Sequence, residues 1–418
     1  MLHLTMSRLV ALFNPNLPPK VWLLQFGVLI NFFGNGLVAP FLVIYLHFGR
    51  GIPFALAGSA VALGGITAVT SGLVAGSLAD RIGARNTLVA AMTCNAAAYL
   101  LYTQVTAPWQ AYGAGILVGV GTGMYGPSSQ LLIASMVPPD GRQAAFAQNR
   151  VTSVLGLGLG GVVGGLIAAG GLNGYIRLLV LDAATFLAFA AVVLLLPSGR
   201  SAVSAAARGS YRAVLRDRAF IRLVAANLAM VSAGIAPMFW LLPAYAKGQL
   251  HIAETAIGLI YSANAVTVVV AQLPIAHLTR TRNRMHALRV GALIWVGCWL
   301  ACLAAAAGLT VPVAAVIVAL ASIGYAVGEC LYSSIMLPTT TMLAPDHLRG
   351  RYLGVMGLAW QGGFLVGPTL GGAILGVLPP ALPAACAVGC LVAVAIVMSA
   401  DRSMAGDVRL APAQAAAS

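Results

Sequence analysis

Two carboxyl groups stand where carboxyl groups are seldom found. Glu329 lies in the apolar run Ile323-Gly-Tyr-Ala-Val-Gly-Glu-Cys-Leu-Tyr332, and Asp182 lies in Arg177-Leu-Leu-Val-Leu-Asp-Ala-Ala-Thr-Phe186. A charged side chain in the centre of a bilayer costs about 2.5 kcal/mol or more, so such groups face a cavity or a partner. Desolvation disfavours the charged form of a carboxyl, which makes both acids candidate proton carriers. The alternative for Glu329 is a hydrogen-bonded structural acid. Asp182 falls near the outer third of its run, with Arg177 a loose partner at best. A structural hydrogen bond or an outer-surface role is its alternative. Other chemistries find little support. The six cysteines lie inside apolar runs without a CxxC pair or a nearby His, and read as small buried apolar residues rather than metal ligands or disulfides. HExxH, GxxxxGK[ST] and a clearly spaced Ser/His pair are all absent, which argues against an enzyme or an ATPase. The expectation is no cofactor and no metal, with a proton gradient as the energy source.

The elements that hold these acids follow from composition. Of 418 residues, 60% are hydrophobic and 8% charged, against roughly 25% charged in a soluble domain. The mean hydropathy is +0.93. A cytosolic enzyme, a disordered chain and a nucleic-acid-binding domain are excluded, although the net charge is +14. A spanning helix needs about 20 mostly apolar residues. Twelve segments qualify: about 21–46, 53–76, 86–105, 109–135, 147–170, 175–197, 219–246, 254–277, 288–308, 311–337, 351–376 and 379–399. The runs are continuous rather than alternating, which favours helices over a β-barrel. The first run is too long for the apolar stretch of a signal peptide.

Basic residues orient the spans. With both ends inside, the inner segments hold Arg81, Arg85, Arg142, Arg150, Arg208, Arg212, Arg216, Arg280, Arg282, Arg349, Arg351 and others. The outer segments hold only Arg50, Arg177 and Lys247. Both termini are therefore expected in the cytoplasm. The fold class is an all-α membrane protein, with twelve transmembrane helices as two six-helix halves around a central cavity. The halves are residues 1–197 and 219–400, joined by a cytoplasmic linker over 198–218 and followed by a tail over 401–418.

An internal repeat supports the two halves. At an offset of 207 residues, Gly121 meets Gly328, Tyr125 meets Tyr332, Pro138 meets Pro345 and Arg142 meets Arg349. Gly156, Gly160, Gly164 and Gly165 meet Gly363, Gly367, Gly371 and Gly372. A parallel repeat about an axis normal to the membrane is a transporter architecture with the substrate site between its halves.

The chain resembles the major facilitator superfamily over essentially its whole length, and within it the drug:proton antiporters. The loop after span two reads Gly76-Ser-Leu-Ala-Asp80-Arg81-Ile-Gly83-Ala-Arg85-Asn-Thr-Leu88. It is similar to the superfamily signature G-x-L-a-D-r-x-G-r-k-x-x-l, and departs from it at Ala84. The exporter motif g-x-x-x-G-P-x-x-G-G stands complete in span eleven, as Gly363, Gly367, Pro368, Gly371 and Gly372. In span five it reads Gly156, Gly160, Gly164 and Gly165, with Gly161 in the place of Pro. An Arg that the family carries in span four is replaced by Gly115.

The resemblance implies a latch between the halves. Asp80 would lie against the positive end of span eleven near Arg349 and Arg351, and Arg85 could pair with Asp140. The plainer alternative is that these residues follow the positive-inside rule and tie a tight turn. The glycine runs allow close helix packing and, in the family reading, bending during gating. An acid in span ten also recurs in related drug antiporters. Asn31, Asn35, Tyr125, Gln130, Trp240, Asn264, Tyr332, Trp360 and Gln361 are candidate cavity residues, though for any single one interhelical bonding is the better explanation. Together they suit amphipathic or cationic organic molecules. A cavity without a basic residue at mid-membrane is expected, which argues against multiply anionic substrates. The expected activity is proton-coupled export of such compounds by alternating access, with import or facilitated passage of a metabolite as the alternative. The expected setting is a bacterial inner membrane, with small-molecule substrate, protons and lipid as partners, no nucleic acid, and a monomeric chain.

Overall fold

In lipid every backbone N–H and C=O must be bonded within the protein, which leaves helices as the simplest solution for a chain this apolar. The computed structural model describes residues 18–197, 211–279, 283–345 and 348–404. Twelve long helical segments run through these residues: α1 (Pro19–Gly49), α2 (Phe54–Ile82), α3 (Ala84–Thr103), α4 (Pro108–Met136), α5 (Pro139–Ala168), α6 (Gly171–Leu194), α7 (Arg218–Trp240), α8 (Glu254–Thr279), α9 (Arg284–Ala305), α10 (Val311–Leu343), α11 (Arg349–Val377) and α12 (Ala381–Ser403). A further piece, Leu242–Gly248, extends α7, and a short helix, Tyr211–Arg216, precedes it. Ten of the twelve are long and apolar enough by themselves to cross a membrane. The other two are α3, where Asn86, Thr87 and Asn95 lower the hydropathy, and the glycine-rich α4. With 20 residues, α3 still covers about 30 Å at 1.5 Å per residue, the thickness of the hydrocarbon core. Residues 198–210 of the expected linker and 405–418 of the expected tail lie outside the described residues.

The first helices of the two halves are interrupted in similar ways. In α1 the chain turns at Ala39–Phe41 beside Pro40 and ends in a five-residue π-helical stretch, Tyr45–Gly49. In α7 a π-helical stretch, Val231–Ile235, comes just before Pro237, and Leu241 breaks the helix before its extension. Pro237 lacks the N–H that would bond one turn back, and the bonding there widens instead. Tertiary contacts repeat as well. Tyr45 Oη donates to the Tyr102 carbonyl at 2.7 Å, and Tyr245 Oη donates to the Cys302 carbonyl at 3.5 Å. Each partner is displaced by 200 residues between the halves (45 to 245, 102 to 302). Asn95 packs on Gly121, as Trp295 packs on Gly328.

The repeated glycines divide into two sets. Gly156, Gly160 and Gly164 form one ridge of α5 against α1, where a Cβ at Gly164 would sit 2.6 Å from the Leu37 carbonyl oxygen. Gly363, Gly367 and Gly371 form the matching ridge of α11 against α7 and its extension, where a Cβ at Gly367 would sit 2.6 Å from the Ser232 carbonyl oxygen. These contacts lie within one half. The last glycine of each motif faces the other half. Gly165 packs on Glu254, Thr255 and Gly258 of α8, and Gly372 packs on Phe54 and Gly58 of α2. Pro368 of α11 lies on the same seam, with its carbonyl against Gly58. Two backbone-to-backbone seams, α5/α8 and α2/α11, therefore join the halves.

These sets should respond differently to bulk. Gly160→Leu forces a side chain into the Phe33 carbonyl and should cost about 1–3 kcal/mol of stability, read as a lower melting temperature. Gly258→Leu should leave both halves folded, with near-normal circular dichroism and melting, yet stop transport because the seam cannot close.

Candidate functional site

Glu329 sits well inside α10, with Val311 eighteen residues before it and Leu343 fourteen after. Tyr332, one turn on, donates to Asn227 Oδ1 of α7, and Ser333 donates to Gln272 Oε1 of α8 at 3.1 Å. Residues three and four apart share a helix face, so Glu329 is aimed between α7 and α8. Its carboxylate meets a guanidinium there: Arg150 of α5 lies with Nη2 3.6 Å from Glu329 Oε1. The pair joins the first half to the second. The carboxylate side is well enclosed at 13% exposure, whereas the Arg150 side chain is 59% exposed.

Arg150 counts by sequence among the inner basic residues. In the structure α5 starts at Pro139, which carries Arg150 eleven residues into the helix. A charge at that depth needs a partner, and Glu329 supplies it.

Asp182 is fully buried in α6. Thr185 Oγ1 donates to its Oδ1 at 3.0 Å, while Oδ2 is buried without a hydrogen-bond partner. Gly34 of α1 packs directly on this pair, close enough that a Cβ there would collide with both side chains. Its nearest bonded neighbour is thus Thr185.

A cavity of about 320 Å³ lies between the halves. Asn35, Tyr99, Tyr102 and Thr122 line it from the first half, and Trp240, Trp360, Gln361 and Phe364 from the second. Trp240 Nε1 is a buried donor without a hydrogen-bond partner. Of the cavity candidates, Asn35, Trp240, Trp360 and Gln361 are in this wall. Tyr332 stacks behind Trp360 with ring centroids 5.8 Å apart. Asn264 donates to the Ser322 carbonyl at 3.0 Å and borders a smaller pocket within the second half. Asn31 is buried, with Asn35 Nδ2 donating to its carbonyl. Tyr125 packs edge-on against Phe32 and Phe189, and Gln130 is exposed. Sequence reasoning misses Tyr99, Tyr102 and Phe364, because aromatics in apolar runs give no sign of which face they occupy.

At the face opposite residues 18 and 404, a second polar cluster also joins the halves. Tyr175 Oη of α6 donates to Glu254 Oε1 of α8 at 2.8 Å. Lys247, at the end of the α7 extension, donates to Tyr175 Oη at 2.8 Å and forms an ion pair with Glu254. Lys247 Nζ also lies 5.5 Å from the centre of the Phe48 ring of α1. Arg50 Nε donates to Tyr45 Oη at 2.7 Å, and its guanidinium also bonds the Thr103 carbonyl.

The sequence matches the Major Facilitator Superfamily over residues 24–327 and again over 228–414. The chain belongs to the Major Facilitator Superfamily. It is 26% identical to the uncharacterized MFS-type transporter YhjO of Bacillus subtilis, covering 84% of this chain and 85% of that protein. It is likewise 26% identical to the multidrug resistance protein MdtH of Aeromonas salmonicida, over 84% of this chain and 87% of that one. The crystal structure of the nucleoside transporter NupG superposes with a TM-score of 0.71 at 16% identity, covering 92% of this chain and 99% of NupG. That likeness is one of fold. The chain is thus a multi-pass membrane transporter of the superfamily rather than an enzyme.

The superfamily loop motif is partly visible. Gly76 lies in α2, and Gly83 links α2 to α3 with φ +86°, a conformation that favours glycine. Thr87 Oγ1 donates back to the Gly83 carbonyl at 3.0 Å. Arg81 is exposed. Arg85 Nη1 donates to the Leu196 carbonyl at 3.1 Å, tying α3 to the end of α6. Arg142 Nε donates to the Val137 carbonyl at 3.3 Å. The side chains of Asp80, Asp140 and Arg349 lie outside the described residues, and with them the expected latch pairs.

The seal predicts a conformational shift. Glu254→Ala removes the acceptor of both Tyr175 and Lys247, which should cost the sealed state about 1–3 kcal/mol. Spin labels at Arg177 and His251 should then show a longer distance population than the unmutated background.

Proposed function

We propose that this superfamily member is a proton-coupled exporter of small amphipathic or cationic organic compounds, acting by alternating access. The observation that carries the reading is the Arg150–Glu329 pair, because it joins an enclosed acid well inside α10 to a base on a helix of the other half. An acid so placed can bind a proton in one state and release it in another, and its charge affects how the halves meet. The wall of Tyr99, Tyr102, Trp240, Trp360 and Phe364 with Asn35 and Gln361 is apolar with a few polar groups, as small-organic sites are. Its aromatic faces favour cations. The similarity to a protein named for multidrug resistance supports export. Asp182, buried and half-satisfied, is the second candidate proton site.

In this reading the halves are residues 1–197 and 219–400, and the chain works as a monomer. The termini lie in the cytoplasm of a bacterial cell, and the sealed face is the outer one. The inward proton gradient drives the cycle. A proton reaches Glu329 from outside, and substrate takes its place from inside.

Transport of ethidium in proteoliposomes under an imposed pH step tests this function. Wild type should show gradient-driven flux, and Glu329→Gln should fall to the level of empty vesicles with its folding unchanged. Flux that survives Glu329→Gln but stops in Asp182→Asn would move the proton to the first half. Flux independent of the pH step would overturn proton coupling.

A further inference from the structure

Neither Glu329 nor Arg150 belongs to the wall of the cavity between the halves. A smaller cavity of about 30 Å³ lies wholly within the second half, among α7 with its extension, α8 and α10. It shares no lining residue with the larger one. Its wall runs from Ala246, the neighbour of Lys247 in the polar cluster with Tyr175 and Glu254, to Tyr325. Tyr325 stands one turn before Glu329 on α10, about 6 Å along the helix axis. Most of the wall is apolar, yet it holds two buried hydroxyls without a hydrogen-bond partner, Tyr261 Oη of α8 and Tyr325 Oη of α10. Tyr325 is 1% exposed. Asn264 adds a carboxamide, whose Nδ2 donates to the Ser322 carbonyl at 3.0 Å. Burying a hydroxyl without a bond is costly, and an internal water is the usual remedy. A water needs about 10–15 Å³ and roughly two to four polar partners, so this space takes about two.

We infer that this small cavity is a hydrated proton inlet, in which water held by Tyr261, Tyr325 and Asn264 carries protons from the Lys247–Glu254 end toward α10 by a route separate from the substrate cavity. This rests on the proposed coupling at Glu329. Each water accepts a proton on one side and releases one on the other, so the waters are unchanged and the Glu329 carboxylate ends as a neutral carboxylic acid. The phenols keep their own protons. They are positioning residues that hold the waters in line by hydrogen bonds. Sites for small organic molecules have volumes of about 300–1,000 Å³, so a space this small passes water and protons and excludes an organic cation. The separation lets a proton arrive whether or not the larger cavity is occupied. The titratable and charged groups facing Glu329 are Arg150 of α5, Tyr261 of α8 and, on α10 itself, Tyr325, Cys330 and Tyr332.

Two fluxes of ethidium through the reconstituted full chain test the inlet. One is driven by a pH step. The other is exchange of labelled for unlabelled ethidium at equal pH, which turns the carrier over without net proton movement. The double variant Tyr261→Phe with Tyr325→Phe removes both hydroxyls and keeps both rings. Its pH-driven flux should fall about tenfold, the rate change expected when a hydrogen bond is lost from the proton route, while exchange stays at the wild-type rate. Ser322→Leu fills the space from α10 and should give the same split, which keeps the test open should the double variant melt early. Equal loss of both fluxes, or pH-driven flux at the wild-type rate in both variants, overturns the inlet and leaves the coupling at Glu329 standing. No pH-driven flux in wild type overturns the two together.

Discussion

Helices already surrounded by hydrocarbon gain little from hiding apolar surface against one another. Their association must come from close contact and from polar bonds. The architecture of this chain depends on that constraint. Gly160 and Gly367 let α5 and α11 settle on the first helix of their own half, backbone against backbone. Gly165 with Gly258, and Gly372 with Gly58, do the same across the boundary between halves. The first set builds two rigid bodies. The second brings α5 to α8 and α2 to α11 along the boundary between the halves.

Polar groups are distributed along the same logic. At one face of the molecule Tyr175, Lys247 and Glu254 bond one another across the boundary. Deeper in, Arg150 and Glu329 do so with a looser contact. The two clusters differ in how far they are covered. Lys247 and Glu254 are both mostly covered, at 23% and 17% side-chain exposure, and form a clasp. The deeper pair joins a covered acid to a more exposed base. The α5/α8 seam and this pair both lie on α5.

The cavity between the halves is built by residues with little individual character. Its wall combines Tyr99, Tyr102, Trp240, Trp360 and Phe364 with Asn35 and Gln361. Glycines of α2 and α4 border the same space, where Gly64, Gly115 and Gly119 let these two helices pack backbone to backbone. This wall offers shape and aromatic surface with few hydrogen-bonding side chains. Trp240 Nε1 is the exception, as a buried donor directed to no protein acceptor.

Much of this was legible in the residues themselves. Apolar runs of spanning length, basic residues biased to one side and an offset of 207 residues are local or additive properties, and they determined twelve helices in two repeated halves. The two intramembrane acids were equally plain, because a carboxyl in an apolar run is conspicuous wherever the run packs. The arrangement of partners was not. Arg150 reads as a loop-edge residue because the apolar run of span five begins near 147, whereas the helix starts at Pro139 and carries the guanidinium to the depth of Glu329. Tyr175, Lys247 and Glu254 read as separate loop-edge residues. Which glycine faces its own half and which the other is likewise invisible to periodicity. Each of these depends on how two rigid bodies are placed against one another, and that placement is a sum of many long-range contacts that no single stretch of sequence contains.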